Sequence, residues 1–249
     1  MTSNDILAAQ DHRPFELPKG KWRIRQTWHD LLFAHWPVEP ERIAPYVPKQ
    51  LELDLWDGAA WVSVSPFLVS PLSIRGLPTL PLARSFCELN MRTYVVYRGR
   101  PGVYFFSLDA SSRLAVEAAR LTGLPYFHAA ISMKREKELI LYACDRNDAR
   151  MRSASFAGIY YPTSGEICHA EPDTRLHWLT ERYRLYSVKR DGVMAIDIHH
   201  LPWPLQSAEW IADKNTMGEA WGIELPDVKP ILTYSKFLDV LIWPMKMLN

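Results

Sequence analysis

Short apolar runs, each bounded by proline, glycine or acidic residues, recur along most of the chain. The run over 28–36 ends at Pro37 and predicts a buried strand. Alternation of apolar and polar residues over 51–56, followed by Asp57-Gly58, predicts a hairpin whose second strand covers 61–67. The remaining strands are predicted at 87–98, 103–108, 126–134, 138–145, 154–161, 180–188, 193–200 and 231–243, the last of which fits a helix nearly as well.

Helical patterns are few in this sequence. Proline and acidic residues in a first turn predict a short helix over 39–43. A second helix is predicted over 113–121, capped by Ser111 or Ser112 and ended by Gly123. Many strands with few helices indicate a mainly β (α+β) protein built on an antiparallel, strongly curved sheet or barrel.

The domain organisation is simple. Residues 1–21 are polar and unpatterned, which predicts a poorly ordered N-terminal arm. Residues 22–249 contain no linker-like tract and no repeat, so they are predicted to form a single domain. The proline-rich segment 66–81 is predicted to be a long loop, a feature that often has a functional role in compact domains.

Composition narrows the function classes. The chain has 29 Lys and Arg against 28 Asp and Glu, which argues against a nucleic-acid partner. Cys87, Cys144 and Cys168 form no C-x-x-C pair, which argues against disulfides and structural zinc. No apolar run reaches a membrane span of about 18 residues, and residues 1–21 do not resemble a signal peptide. We therefore expect a cytoplasmic protein, with no membrane or nucleic-acid partner.

Candidate chemistry concentrates on the strand predicted at 87–98. Alternate residues of a strand share a face, so Glu88, Asn90, Arg92 and Tyr94 project together and their neighbours form an apolar face. This row has two interpretations: a solvent-facing strand in which Glu88 and Arg92 pair loosely, or an enclosed row of site residues. The aromatic partner strand around 104–106 favours the enclosed row. Cys87 alternates to the apolar face, which favours a place in the core.

Histidines add a second set of candidates. A barrel could bring His35 or His200 near Glu88, giving an acid–base pair or part of a metal site, while a hydrogen-bonded structural histidine is the alternative. No H-x-H or H-E-x-x-H spacing is present, so no metal site is predicted. Tyr126 and His128 share one face of their predicted strand and are expected to line the mouth of a pocket, although aromatic packing explains Tyr126 equally well.

Several motifs together resemble the YqjF-like family of the acetoacetate decarboxylase-like superfamily. The first is Phe86-Cys-Glu-Leu-Asn-Met-Arg-Thr-Tyr-Val95, and the resemblance extends over nearly all of residues 22–245. The other matching stretches are 31–38, 56–61, 99–110, 119–120, 123–126, 179–186 and 200–205. The resemblance implies an acetoacetate-decarboxylase-like closed β-cone or double barrel with a few short helices around an internal pocket.

The family's chemistry transfers less completely than its fold. Acetoacetate decarboxylase forms a Schiff base on one of two paired lysines, the second of which lowers the pKa of the first. The matching stretch of this chain is Arg120-Leu121-Thr122, and no two lysines are adjacent anywhere. Arginine stays protonated and is no nucleophile. Decarboxylation through an imine is therefore not expected, and only Glu88 matches a pocket residue of the decarboxylase.

Together these patterns predict a small-molecule pocket protein, with lyase or other carbonyl or carboxylate chemistry as the first reaction class. Glu88 would be a general acid or base, and Arg92 would anchor a carboxylate or enolate oxygen. A non-catalytic binding protein and a structural or oligomerisation module with a buried Glu88–Arg92 ion pair remain alternatives. No cofactor is expected; a carboxylate or carbonyl ligand and a homo-oligomer are the expected partners. The predicted substrate-binding residues are His35, Trp36, Asn90, Tyr94, Arg120, Tyr126 and His128.

Overall fold

The computed structural model describes residues 1–77, 85–190 and 192–248, and strands dominate this part of the chain. Its helices are α1 (Ser3–Ala8), α2 (Pro40–Ile43), α3 (Arg113–Arg120) and α4 (Arg175–Thr180). Its strands are β1 (Ile24–Val38), β2 (Glu52–Leu53), β3 (Ala60–Ile74), β4 (Phe86–Tyr97), β5 (Arg100–Ala110), β6 (Tyr126–Glu136), β7 (Leu139–Arg146), β8 (Ala154–Pro162), β9 (Arg184–Lys189), β10 (Gly192–His199), β11 (Gln206–Asn215), β12 (Ile231–Ile242) and β13 (Lys246–Leu248). The prediction of a mainly β fold with short helices is confirmed.

Hydrogen bonding between strands forms two closed circuits. The smaller circuit runs β1–β3–β4–β5–β9–β10–β12 and back to β1. The larger circuit leaves β5 through β6, β7, β8 and β11 and rejoins at β12. Five strands, β1, β3, β4, β5 and β12, belong to both circuits. Because alternate side chains point to opposite faces, these shared strands present one face to each interior.

The core follows this alternation. On β1, Leu32 and Ala34 join an apolar cluster that also contains Tyr142 and Phe156 from the larger circuit. Leu31 and Phe33 alternate with these residues and lie on the other face of β1. There they join a second cluster with Ile196 and Ile198 of β10, in the smaller circuit. The middle of β1 is therefore buried on both faces.

The predicted local signals for turns and caps are confirmed. Asp57 and Gly58 both adopt positive φ, at 52° and 75°, and Trp56 pairs with Ala59 across the turn. The Ser112 side chain accepts a hydrogen bond from the backbone N–H of Ala115 and so caps α3.

The predicted loop over 66–81 is wrong in its first half, because β3 continues to Ile74. Residues 78–84 lie outside the described part of the chain. Proline is tolerated within a strand at a bulge, where no ladder hydrogen bond is lost. Pro66 lies beside such an irregularity, since the register between β1 and β3 shifts between His29 and Ala34.

Two strand predictions also need correction. The strand predicted over 51–56 is only Glu52–Leu53 and pairs with β4 rather than with its sequence neighbour β3. The strand predicted over 180–188 begins at Arg184, because α4 occupies the preceding turn. Strands β11 and β13 were not predicted, since β11 has a single buried residue and β13 is very short.

The N-terminal segment is packed more closely than the expected poorly ordered arm. Thr2 caps α1, and the Ile6 side chain is fully buried against Leu241 and Trp243. The Arg13 guanidinium donates to the carbonyl of Ile198 at 2.8 Å. A single buried isoleucine in a polar segment produces no hydrophobic periodicity, which is why the pattern missed this packing.

In the described part of the chain, no helix has both the length and the apolar character that crossing a membrane requires.

Candidate functional site

The row of polar residues on β4 lies inside the molecule. Glu88 is 4% exposed, Asn90 is 8% exposed and Tyr94 is fully buried, while Arg92 is half-buried. The interpretation of this row as a solvent-facing strand is therefore wrong. Alternate residues of a strand share a face, so these four side chains lie together inside the fold, as the alternation predicts.

Polar residues on two neighbouring strands extend this row. In the register of β3 with β4, Ser63 lies opposite Arg92 and Ser65 opposite Asn90. In the register of β1 with β3, His35 lies opposite Ser63. Residues opposite each other on antiparallel strands share a face. The result is a polar patch across three shared strands, on the face that also carries Phe33 and the smaller apolar cluster.

Glu88 is the acidic group of this patch. Burial raises its pKa from 4.5 to about 8, although hydrogen bonds from the Tyr126 hydroxyl, at 3.3 Å, and from Asn90 oppose the increase. The negative charge of Asp109 adds to it. Glu88 is therefore mainly protonated at neutral pH, which allows its carboxyl group to donate as well as accept a proton.

Arg92 is the cation of this patch, and it lacks an acidic partner. Its Nε and Nη2 atoms are buried without a hydrogen-bond partner among the described residues, and none of the ion pairs found there includes it. Its guanidinium carbon lies 5.2 Å from the ring centre of Phe33 and 5.9 Å from that of Tyr94. The Glu88–Arg92 ion pair of the structural-module alternative is thus absent from the described residues.

His35 lies at the other end of the patch and is fully buried. Its Nδ1 atom is 3.0 Å from the Tyr94 hydroxyl, and its ring stacks on Phe33. Burial holds its pKa well below 6.5, and the positive charge of Arg92 lowers it further. The imidazole is therefore neutral, and its Nε2 atom has no partner in the described part of the chain.

Arg182 is a residue of this region that the sequence analysis did not select. Its Nη1 atom forms an ion pair with Asp54 at 2.6 Å, and its guanidinium lies over the rings of Tyr94 and Trp178. Burial lowers the pKa of Arg182, although the Asp54 charge opposes that change. The stretch 179–186, which carries part of the family resemblance, was the available signal.

Some predicted substrate-binding residues lie away from the patch. Trp36 follows His35 on β1 and therefore points to the opposite face, where its ring packs against Trp210 with centres 6.0 Å apart. Its assignment to the same site as His35 does not agree with this placement. Arg120 donates to the backbone carbonyl of Tyr126 at 3.3 Å, so its contact is with the backbone of that residue.

His128 and His200 are also separate from Glu88. In the β5–β6 register His128 lies beside Ala110, which in turn lies beside Glu88, and its backbone N–H donates to Asp148. His200 packs on Tyr183, and its Nδ1 atom lies 2.6 Å from the carbonyl oxygen of Leu201. His200 therefore belongs to the packing around the N-terminal segment.

The lysines are all on the surface. Each of the ten lysines lies in the described part of the chain and is exposed. Lys134, which follows the stretch where the decarboxylase has its paired lysines, forms a surface ion pair with Glu136. The polar patch therefore contains no amine that could form a Schiff base with a ligand.

A surface cleft of about 500 Å³ lies elsewhere, on the outer side of β12. Phe237, Leu238 and Pro202 are among its lining residues, and none of the predicted site residues is among them. The chemistry of Glu88, Arg92 and His35 is therefore not part of this cleft.

Comparison with known proteins agrees with the fold and with the resemblance. Uncharacterized protein YqjF of Bacillus subtilis (strain 168) is 48% identical over 231 residues, which cover 92% of this chain and 94% of that protein. The enduracididine biosynthesis enzyme MppR complexed with pyruvate superposes with a TM-score of 0.64 at 13% identity, over 94% of this chain and 93% of that one. An acetoacetate decarboxylase-like enzyme from Sphingomonas wittichii RW1 gives 0.61 at 13% identity, over 95% and 98%.

The two solved structures show the fold alone, because identity to them is low. The family assignment depends on a different comparison: residues 25–239 match DUF2071, described as an uncharacterized conserved protein. That match spans both circuits and includes Glu88, Arg92 and His35. The chain therefore belongs to the DUF2071 family, and its fold is that of the acetoacetate decarboxylase-like proteins.

Proposed function

We propose that this protein binds a small carboxylate or enolisable carbonyl compound against the polar patch, and that Glu88 transfers a proton to or from it. The observation that carries the proposal is the combination on one strand face of an unpaired, partly buried guanidinium with a carboxyl group whose pKa is raised to about 8. A buried polar atom without a partner is unusual in a folded protein, and an ordered water, an ion or a ligand can satisfy it.

Arg92 supports the choice of an anionic ligand. A guanidinium presents parallel N–H groups that match the two oxygens of a carboxylate. Its buried Nε and Nη2 atoms are free to make these bonds. The rings of Phe33 and Tyr94 beside it reduce contact with water and favour a ligand with an apolar body.

Glu88 supports acid–base chemistry on that ligand. A group with a pKa near the working pH transfers protons in both directions most efficiently. In its ionised form Glu88 would remove a proton from the carbon beside the carbonyl, and the C–H electron pair would move to form an enolate. In its protonated form it would return a proton to the same carbon. Because this exchange needs no lysine, it is compatible with the surface position of all ten lysines.

Oxo acids are the first ligands to test. One solved structure of similar fold was determined with pyruvate bound, which is a finding about that enzyme. It makes short oxo acids a sensible starting class here, together with short fatty acids and their neutral amides.

The test of anion binding is a calorimetric screen of these compounds against the wild type, Arg92→Met and the surface control Arg42→Met. A charge-assisted hydrogen bond contributes roughly 1.5–3 kcal/mol, so Arg92→Met should weaken acid binding by about 10-fold to 100-fold. Arg42→Met should bind as the wild type does. Equal binding of acids and amides, or unchanged acid binding by Arg92→Met, would exclude the anion-binding role.

The test of catalysis is exchange of ligand protons in deuterated water, followed by proton NMR. The wild type should exchange the protons beside the carbonyl faster than free ligand does, and Glu88→Gln should bind the ligand without exchanging them. If the wild type binds the ligand but does not accelerate exchange, the protein is a non-catalytic binding protein.

A further inference from the structure

We propose that His35 recognises a second oxygen of the ligand, so that the polar patch selects oxo acids over plain carboxylates of the same length. In this assignment, Arg92 binds the carboxylate and the Nε2–H group of neutral His35 donates to the oxo oxygen. The inference rests on the proposed function, because it takes the ligand to be an anion held by Arg92.

We assign the tautomer of His35 from its bond with Tyr94. The Tyr94 hydroxyl is 3.0 Å from His35 Nδ1. In this assignment the hydroxyl donates and Nδ1 accepts. A neutral imidazole that accepts at Nδ1 carries its hydrogen on Nε2.

That Nε2–H group has nothing to bind within the described part of the chain. It is fully buried and has no hydrogen-bond partner among the described residues. The neighbouring Ser63 and Ser65 hydroxyls are 3.2 Å apart and can bond to each other. A donor that is buried without an acceptor destabilises the empty site, and a ligand oxygen would remove that penalty.

His35 and Arg92 lie beside the same aromatic ring. Both groups lie beside Phe33: the His35 ring stacks on it with centres 5.5 Å apart and planes at 15°, and the Arg92 guanidinium carbon lies 5.2 Å from its centre. The Tyr94 side chain contacts both groups from another side. A cation and a neutral donor therefore flank the same aromatic ring on the same sheet face.

The purely structural alternative for His35 explains only half of its environment. Its bond to Tyr94 would hold two strands together and account for Nδ1. It does not account for Nε2. An apolar side chain of similar shape at this position would leave no buried donor unsatisfied. An imidazole at this position therefore fits ligand recognition better than a purely structural role.

The experiment compares 2-oxobutyrate with butyrate, which differ only in the oxo group. Affinities are measured by calorimetry for the wild type, His35→Phe, Tyr94→Phe and Arg92→Met. The wild type should prefer 2-oxobutyrate by about tenfold, the effect of one added hydrogen bond. The ratio of affinities should fall to about one in His35→Phe and to an intermediate value in Tyr94→Phe, which no longer fixes the tautomer.

An NMR measurement on the wild type covers the case in which His35→Phe does not fold. With nitrogen-15-labelled histidine, the His35 ring should show the Nε2–H tautomer, and 2-oxobutyrate should shift that proton while butyrate does not. An Nδ1–H tautomer, or equal shifts with both acids, would overturn the assignment.

The two proposals fail in different ways. If both acids bind through Arg92 but the affinity ratio is the same in the wild type and His35→Phe, the His35 inference is wrong and the proposed function stands. If neither acid binds, or Arg92→Met leaves both affinities unchanged, both proposals are wrong.

Discussion

Arg146 on β7 and Arg92 on β4 lie on opposite sides of the shared strands, and of these two arginines only Arg146 has an acidic partner among the described residues. Arg146, on the face toward the larger circuit, makes two bonds to Asp109, at 2.5 and 2.6 Å, and one to Ser107 at 2.7 Å. Both side chains of this pair are completely buried. Arg92, on the face toward the smaller circuit, has neither a carboxylate nor a hydroxyl at its Nε and Nη2 atoms.

The difference separates a structural arginine from a candidate binding arginine. A buried ion pair with its partners in place fixes the arrangement of the strands that carry it, and removing one partner leaves a buried charge uncompensated. An arginine without such partners is expected to contribute little to the stability of the folded state, so its presence inside the fold needs another explanation. Binding of an anion is the reason that fits Arg92.

The largest expected effect is on the stability of the protein when the paired arginine, Arg146, is replaced. Arg146→Met should lower the free energy of unfolding by about 3–5 kcal/mol, because it leaves the Asp109 carboxylate buried and unpaired. Urea denaturation measures this. The double variant Arg146→Met with Asp109→Leu should recover much of the loss, since no buried charge remains. A single variant as stable as the wild type would show that the pair does not stabilise the fold.

The next effect is a pH dependence from Glu88. Its pKa is about 8 in the folded protein and near 4.5 when unperturbed, so between these values the folded protein retains a proton that the unfolded chain releases. The contribution of Glu88 to stability is therefore full below pH 4.5 and is lost as the pH rises to about 8, by on the order of a few kcal/mol. Urea titrations at several pH values should show a shallower decline for Glu88→Gln. Identical curves for both proteins would contradict the raised pKa.

A smaller effect is expected from the unpaired arginine. Arg92→Met should change the free energy of unfolding by no more than about 1 kcal/mol, because the loss of contacts with Phe33 and Tyr94 is offset by the removal of unsatisfied donors. The same urea assay applies, with Arg146→Met as the comparison. If both variants were equally destabilised, the distinction between the two arginines would fail.

No measurable effect is expected in a test for a covalent adduct on lysine. Borohydride reduction in the presence of acetoacetate should leave the intact mass unchanged, because no lysine lies inside the fold. An adduct on any lysine would show that the reactive site is elsewhere than the polar patch.

Sequence pattern was sufficient for the part of the site that depends on one strand. Alternation placed Glu88, Asn90, Arg92 and Tyr94 on one face, and it stays regular in β4 because the irregularity between β4 and β5 adds its extra residue, Phe106, to β5. The same rule could have excluded Trp36, since it follows His35 directly on a strand. That error came from treating neighbours along the chain as neighbours in the site.

Contacts between distant segments could not be predicted in this way. Arg182 reaches Tyr94 from the segment after α4, with Asp54 as its partner. The bond between His35 and Tyr94 likewise joins strands that are not neighbours in sequence. No local sequence pattern specifies contacts between segments so far apart along the chain. The extension of β3 through Pro66 was missed for a related reason, because the bulge beside it depends on the register with β1.

The sharing of five strands between two circuits has a consequence for how this chain folds. Strands β1 and β12 pair from Ile24 opposite Ile242 to His35 opposite Ile231. We expect the rate-limiting step of folding to be this pairing, because it brings together segments about 200 residues apart. Neither circuit can close before this pairing forms. We therefore expect slow, cooperative folding in which both circuits appear together, and no fragment that lacks β12 should refold into one intact circuit.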